Sequence, residues 1–154
     1  MGRVHQISAS EGGVPKLPVD EAVVDVSGVI GDLQEDRVHH GHPHQALCLF
    51  SLEVIERFQA EGHPVAPGST GENITVSGLD WSLVVPGSRM TIGPVEIEIT
   101  GFTTPCAKNA GWFIDRRFNR MHNSKHPGES RVYARVISGG PIATGDPVRL
   151  VLLP

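Results

Sequence analysis

The sequence predicts a mainly β domain spanning residues 1–154, built round a closed or strongly bent β-barrel with two or three short helices. Three observations predict it. Short β-branched runs recur along the chain between turn residues, with 18 glycines and 12 prolines among its 154 residues. Val95, Ile97 and Ile99 alternate with Glu96 and Glu98, the period-two pattern of a strand with one buried face. Apolar spacing of the helical kind is clearest only over residues 52–59.

Taken in order, residues 4–9 read as a short strand ended by Ser10-Glu11-Gly12-Gly13. In Pro15-Lys16-Leu17-Pro18 two prolines deny a helix and hold Lys16 in an extended loop. A lysine held stiffly suits an anion, and a solvated loop lysine is the other reading. Residues 21–26 (EAVVDV) form a second strand, closed by Gly28 and Gly31. Residues 32–44 have little periodicity and contain His39-His40-Gly41-His42-Pro43-His44, four of the chain's eight histidines. Their spacing matches no standard zinc pattern, so a polar ligand-facing loop and an adventitious metal binder both stand.

Residues 46–50 (ALCLF) are a continuous apolar run, the pattern of a buried strand, which assigns Cys48 to the core. Ser51 can cap the helix that follows, with Glu53 in its first turn. Leu52, Ile55 and Phe58 fall on one face, and Gly62 with Pro64 stops the helix. Ile74 and Val76 alternate with polar neighbours as in a half-buried strand, while residues 79–85 fit either a helical turn or a strand. Gly93-Pro94 separates strands at 89–92 and 95–100.

The second of these strands leads directly into Thr103-Thr104-Pro105-Cys106-Ala107-Lys108. Pro105 fixes its own φ and biases Thr104 towards an extended conformation, so Cys106 is presented on a stiff segment outside a helix. Lys108, if it stays close, favours the thiolate, the form that attacks electrophiles and binds soft metals. An idle loop cysteine is the alternative. Residues 110–118 read as a short helix, with Trp112 and Phe113 for packing and Arg116-Arg117 as local positive charge. Residues 119–131 read as polar and mobile. Strands follow at 132–137 and 148–153, joined across Gly139-Gly140-Pro141 and Gly145-Asp146-Pro147.

Composition excludes several function classes. A net charge of −4 gives no global attraction to nucleic acid. No apolar run approaches the ~20 residues that span a bilayer, and the amino terminus lacks the apolar core of a secretory signal. The expected compartment is the cytoplasm, where Cys48 and Cys106 remain free thiols. Two cysteines cannot supply the four thiolates of an ordinary iron–sulfur cluster. There is neither a C-x-x-C-H haem motif nor a G-x-G-x-x-G dinucleotide fingerprint.

Several pieces, in this order, resemble the MOSC domain, the carboxy-terminal module of molybdenum cofactor sulfurases that also occurs alone in bacteria. They are the Ile7-Ser8 strand with Lys16 and Pro18, Gly28-Val29-Ile30-Gly31-Asp32, His39-His40-Gly41 and Gly71-Glu72-Asn73-Ile74-Thr75. Pro105-Cys106-Ala107-Lys108, Tyr133-Ala134-Arg135-Val136-Ile137 and Gly145-Asp146 complete the series. The family loop often reads His-His-Gly-Gly with an acidic residue further on, where this chain has His42 and His44. The pyridoxal-phosphate-dependent half of full-length sulfurases has no counterpart here.

The resemblance implies a barrel of the pyruvate-kinase type and a molybdenum cofactor in its molybdopterin form. It makes Cys106 the metal ligand and catalytic residue. It implies a phosphate clamp of Lys16 with Lys108 and Arg131, since charge-assisted bonds to phosphate are the strong ones. Asn73 and the His39-His40 pair would hydrogen-bond the pterin edge, although Asn73 also reads as a residue closing the Gly71 bend. Similar stand-alone members include reductases that remove the hydroxyl from N-hydroxylated bases. Such a reductase takes a small-molecule substrate and needs a separate electron-donor protein, with Arg116 and Arg117 to steer it. The alternatives are a sulfur carrier, with a persulfide on Cys106 loaded by a desulfurase, and a non-catalytic cofactor-binding module. A zinc or nickel site joining the histidine tract to Cys106 is a fourth reading. Neither nucleic acid nor membrane is an expected partner, and a homodimer is left open.

Overall fold

A computed structural model describes residues 1–10, 14–32 and 43–151. Its strands are β1 (Gly2–Ala9), β2 (Leu17–Val19), β3 (Glu21–Asp25), β4 (Gly28–Val29), β5 (Leu47–Ser51) and β6 (Ile74–Ser77). They continue as β7 (Arg89–Ile92), β8 (Val95–Phe102), β9 (Val132–Ser138), β10 (Gly140–Ala143) and β11 (Pro147–Val151), with helix α1 (Leu52–Ala60) between β5 and β6.

Seven strands close into a barrel in the order β1-β6-β5-β9-β8-β7-β11 and back to β1. The closing contact joins Gly2 to Val148 and Arg3 to Pro147, residues from opposite ends of the sequence. β1 bends between partners, so its last residues pair with β2 instead, Ile7 opposite Val19 and Ala9 opposite Leu17. β10, β3 and β4 form a separate three-stranded sheet. Neighbours are antiparallel except β5 and β6, a parallel pair joined by α1 as its crossover. The expected closed barrel is what the chain forms.

The alternation at Val95, Ile97 and Ile99 does what the sequence predicts, since all three are buried while Glu96 and Glu98 face outward. Leu47, Leu49, Ile74, Met90, Val132 and Val148 meet them in the barrel interior. α1 begins as expected, with the Ser51 hydroxyl accepting from the Val54 amide at 3.2 Å. Its buried stripe is Val54, Ile55 and Phe58, with Leu52 only half-buried. Phe58 packs against Phe50 at 5.9 Å and Phe113 at 5.8 Å between ring centroids.

Four expectations change. The helix expected over 110–118 is instead a pair of 3₁₀ segments, Ala107–Trp112 and Ile114–Arg116. An extended Phe113 and a left-handed Asp115 (φ 55°) interrupt any longer helix. Residues 119–131 are anchored rather than loose. Met121 is fully buried, and Arg120 bridges Glu61, just past the end of α1, to Glu129. The 15–18 loop contains a short strand, because Leu17–Val19 lies on the barrel's edge, where a proline costs no ladder bond. The Gly139-Gly140-Pro141 turn starts strand β10, paired with β3. A Cβ on Gly139 would sit 2.4 Å from the Val24 carbonyl oxygen, so only glycine permits that approach. The expected last strand ends at Val151, and residues 152–154 lie outside the described residues. Among the described residues no helix is long and apolar enough to cross a membrane.

Candidate functional site

The site begins with the pleat of β5. Leu47 and Leu49 pair with Ala134 and Val132 in the barrel interior. Cys48 and its register partner Tyr133 therefore point to the outer wall. Cys48 is 8 % exposed, so the expectation of burial holds. Its surroundings are polar rather than apolar. Its Sγ lies 3.6 Å from the Thr103 hydroxyl, and its amide donates to the Asn73 side-chain oxygen at 3.0 Å. Burial pushes the Cys48 thiol up, against the nearby charge of Arg131.

The loop leading into β6 organises the polar groups. Gly68 has φ +84°, and a Cβ there would lie 2.6 Å from the Lys16 carbonyl oxygen and 2.8 Å from the Ser8 hydroxyl. That close approach lets the Lys16 amide donate to the Gly68 carbonyl at 2.9 Å. The Lys16 ammonium is buried and meets Asp32 at 2.5 Å. Asp32 also accepts from the Asn73 side-chain amide at 2.5 Å and from the Ser10 backbone amide at 2.9 Å. Both ends of the Asn73 amide are thereby engaged, one by Asp32 and one by Cys48.

Arg131 closes the cluster at the start of β9. It is 5 % exposed, and its guanidinium donates to the carbonyls of Thr70 at 2.8 Å and Thr104 at 3.4 Å. Its Nε has no partner, and no carboxylate forms an ion pair with it among the described residues. The Thr104 contact ties Arg131 to the segment carrying Cys106. Cys106 is exposed and extended (φ −127°, ψ 164°), just ahead of the 3₁₀ segment, with its thiol unused as a cap. The Asn109 amide nitrogen donates to the Cys106 carbonyl at 3.0 Å. The Asn109 side chain is buried with neither its oxygen nor its nitrogen partnered. Buried polar groups without partners are few in native proteins, and here Asn109 and Arg131 flank one segment.

A cavity of about 230 Å³ adjoins this segment, lined in part by Trp81, Val84, Val85, Phe102 and Ser130. Phe102 and Ser130 directly precede Thr103 and Arg131 in sequence, so the cavity and the polar cluster share the ends of β8 and β9.

Of the residues singled out in the sequence, the structure gathers Lys16, Asn73, Arg131 and Cys48 round one stretch of wall. Cys106 stands on the adjoining rim. Lys108 is exposed beyond it. His39 and His40 lie outside the described residues. Among the described residues no group of three or more His, Cys, Asp or Glu side chains is placed to hold a metal. Sequence reading missed Asp32, Glu72, Thr103 and Asn109 as members of the cluster. Asp32 and Glu72 stand within quoted motifs, and that was their only signal. Thr103 and Asn109 take their places from tertiary contact.

The MOSC domain model matches residues 36–149. The chain is similar to YflK of Bacillus subtilis, 28 % identical over 145 residues, covering 92 % of this chain and 64 % of that protein. It is also similar to YiiM of Escherichia coli, 28 % identical over 144 residues, covering 90 % of this chain and 63 % of the relative. The chain thus spans less than two thirds of the length of these curated relatives. The crystal structure of YiiM from Geobacillus stearothermophilus superposes with a TM-score of 0.74 at 22 % identity, over 99 % of this chain and 76 % of that one, a likeness of fold. With the family model covering most of the barrel, the chain belongs to the MOSC domain family, a family known for molybdenum-cofactor binding.

Proposed function

We propose that this chain binds the molybdenum cofactor in its molybdopterin form and reduces N-hydroxylated substrates, with Cys106 as the metal ligand. One observation carries the reading. An exposed thiol stands on a segment tied to a buried guanidinium that is met only by carbonyls. A soft sulfur donor beside a buried guanidinium with no ion-paired carboxylate among the described residues suits a ligand with a soft metal at one end and a phosphate at the other. The unpartnered Arg131 Nε and Asn109 amide are groups such a ligand would satisfy.

When bound, the cofactor supplies two-electron redox chemistry at molybdenum. This chain's residues hold and orient it. Cys106 offers the sulfur ligand from the rim. Arg131 holds the phosphate, with Lys108 adding charge from the next turn. The Lys16 ammonium sits on Asp32, which offsets its charge and uses one of its three donors, so it is a weaker phosphate contact than Arg131. Asn73 fixes Asp32 and the Cys48 amide, and its second N–H and second oxygen lone pair are what it can offer the pterin edge. The His39-His40 pair is the other candidate for that edge.

Reduction of an N–OH group to N–H consumes two electrons and two protons and releases water. The electrons come from a separate donor protein, steered by the exposed Arg116 and Arg117. The test is protein made in cells with an active molybdenum-cofactor pathway, assayed for molybdenum and pterin. It is then given a chemical reductant and an N-hydroxylated base, and the amine product is followed. Bound cofactor with amine formation, both absent in Cys106→Ser, is the expected result. No turnover, with a stable Cys106 persulfide after incubation with a desulfurase, makes the chain a sulfur carrier. Bound cofactor with neither activity makes it a binding module.

A further inference from the structure

Glu72 sits in the Gly71-Glu72-Asn73 turn with no solvent exposure, and the proposed function assigns it nothing. Its carboxylate collects the loop that precedes β6. One oxygen accepts from the Gly68 amide at 3.0 Å and the Thr75 hydroxyl at 3.2 Å. The other accepts from the Thr70 hydroxyl at 3.0 Å. Two of these residues use their own carbonyls on the site's basic residues, one on a backbone amide and one on a guanidinium. The Gly68 carbonyl accepts from the Lys16 amide at 2.9 Å, and the Thr70 carbonyl from Arg131 Nη1 at 2.8 Å. A third link is covalent, because Asn73, next in the chain, holds Asp32 and the Cys48 amide. The Lys16 backbone and the Arg131 guanidinium are thus each held by a residue that the Glu72 carboxylate itself holds.

We infer that Glu72 is a positioning residue: by drawing Gly68 and Thr70 onto one carboxylate it sets the carbonyls that hold Lys16 and aim the Arg131 guanidinium at the ligand's phosphate. The inference rests on the reading of the wall as a cofactor site. It also accounts for a buried acid that hydrogen-bonds two hydroxyls and an amide and feels the Arg131 charge without forming an ion pair with it. A carboxylate there costs desolvation that a neutral residue avoids, and burial pushes the Glu72 carboxyl up from its ordinary range. Three donors converging from a five-residue loop and the following strand offset part of that cost and lock the loop's shape.

Two substitutions separate geometry from charge, since both remove the carboxylate. Glu72→Gln keeps an acceptor for the Gly68 amide and gives the Thr70 hydroxyl a donor. Glu72→Leu keeps the volume and removes every bond. The probes are pyrophosphate titration, molybdenum and pterin content after expression with the cofactor pathway, and the Arg131 Nε–Hε resonance of protein without ligand. Glu72→Leu is expected to bind pyrophosphate about tenfold or more weakly, to retain correspondingly less cofactor and to shift the Arg131 resonance. Glu72→Gln should stay within about threefold of the parent protein in affinity, with the resonance near its original position. Equal behaviour of the two variants, both impaired or both intact, overturns the inference. If Glu72→Leu does not fold, Thr70→Val removes one hydroxyl from the carboxylate and keeps the Thr70 carbonyl. An unmoved Arg131 resonance in that variant is then the overturning result. Parent protein that binds neither pyrophosphate nor cofactor refutes the cofactor reading, while the Arg131 resonance in the variants still decides the positioning role.

Discussion

Cys48 and Phe50 are neighbours on the same outer face of β5, and they are covered in opposite ways. Phe50 lies under α1, in contact with Phe58, which in turn meets Phe113 and carries the Arg120 guanidinium 4.8 Å above its ring. Cys48 lies under loops that contribute a hydroxyl, an amide and the nearby charge of Arg131. The wall beneath is the same, with Leu47 and Leu49 facing the barrel interior in both cases. What differs is the cover. The apolar face of α1 makes one half of the strand a part of the core, and polar loops make the other half a candidate site.

The largest effect expected is on the polar side. Cys106→Ser should abolish cofactor retention while leaving the unfolding midpoint nearly unchanged, because an exposed side chain makes little contribution to stability. Metal analysis alongside a denaturation curve measures both. A large loss of stability would mean that Cys106 belongs to the packed part of the molecule. Phe58→Ala is the converse test. It empties a fully buried position between Phe50 and Phe113, at a cost of about 3–5 kcal/mol. Variant protein that remains folded at low temperature should still bind cofactor. Loss of binding in folded Phe58→Ala would erase the distinction between the two halves of the strand.

Cys48→Ser tests the boundary between them. A hydroxyl in place of the thiol is buried close to Thr103, with its hydrogen bonding dependent on a slight approach of that side chain. The expected loss is very roughly 1–3 kcal/mol, read from chemical denaturation. Cofactor affinity should change much less than in Cys106→Ser. A variant as stable as the parent would show that the site, not the core, sets the environment at this position.

The two halves were unequally legible in the sequence. The helical cover was visible because it obeys local rules: Ser51 caps α1, Glu53 enters the first turn and Phe58 falls on the buried face. The alternation at residues 95–99 was visible for the same reason. Which strands close the barrel was not, since Gly2 and Val148 meet only after the whole chain has folded. Cys48 was assigned to the core because ALCLF is apolar throughout, and a strand covered on both faces hides which residues face which way. Asp32 and Glu72 are acids whose partners come from distant segments or a tight turn, so no periodicity marks them. Arg120 explains why residues 119–131 are anchored where the sequence suggests a mobile stretch, because its partner Glu61 lies far back in the chain, at the end of α1.

The smallest effect expected is in the pH dependence, and it contrasts one carboxylate from each half. On the helical side, paired hydrogen bonds from Arg120 hold the Glu61 carboxyl below its ordinary value of 4.5. The folded state therefore binds fewer protons than the unfolded one below that value. The stability this provides is complete above the unfolded pKa and is lost as pH falls through the folded one. Glu61 is 43 % exposed, so the contribution is below about 1 kcal/mol. On the polar side, burial raises the Glu72 carboxyl above 4.5, and the sign reverses. Between 4.5 and the raised value the folded state binds more protons, so stability falls as pH rises through that window. Subtracting the stability of Glu61→Gln and of Glu72→Gln from that of the parent protein isolates each carboxylate. The Glu61 difference should be flat near neutrality and shrink in acid below the ordinary carboxylate range. The Glu72 difference should move towards the parent's favour as pH drops from neutrality to that range. Parallel curves for the parent and Glu72→Gln between pH of about 7 and 4.5 would show that Glu72 is not desolvated in solution, and that its loop is open to water.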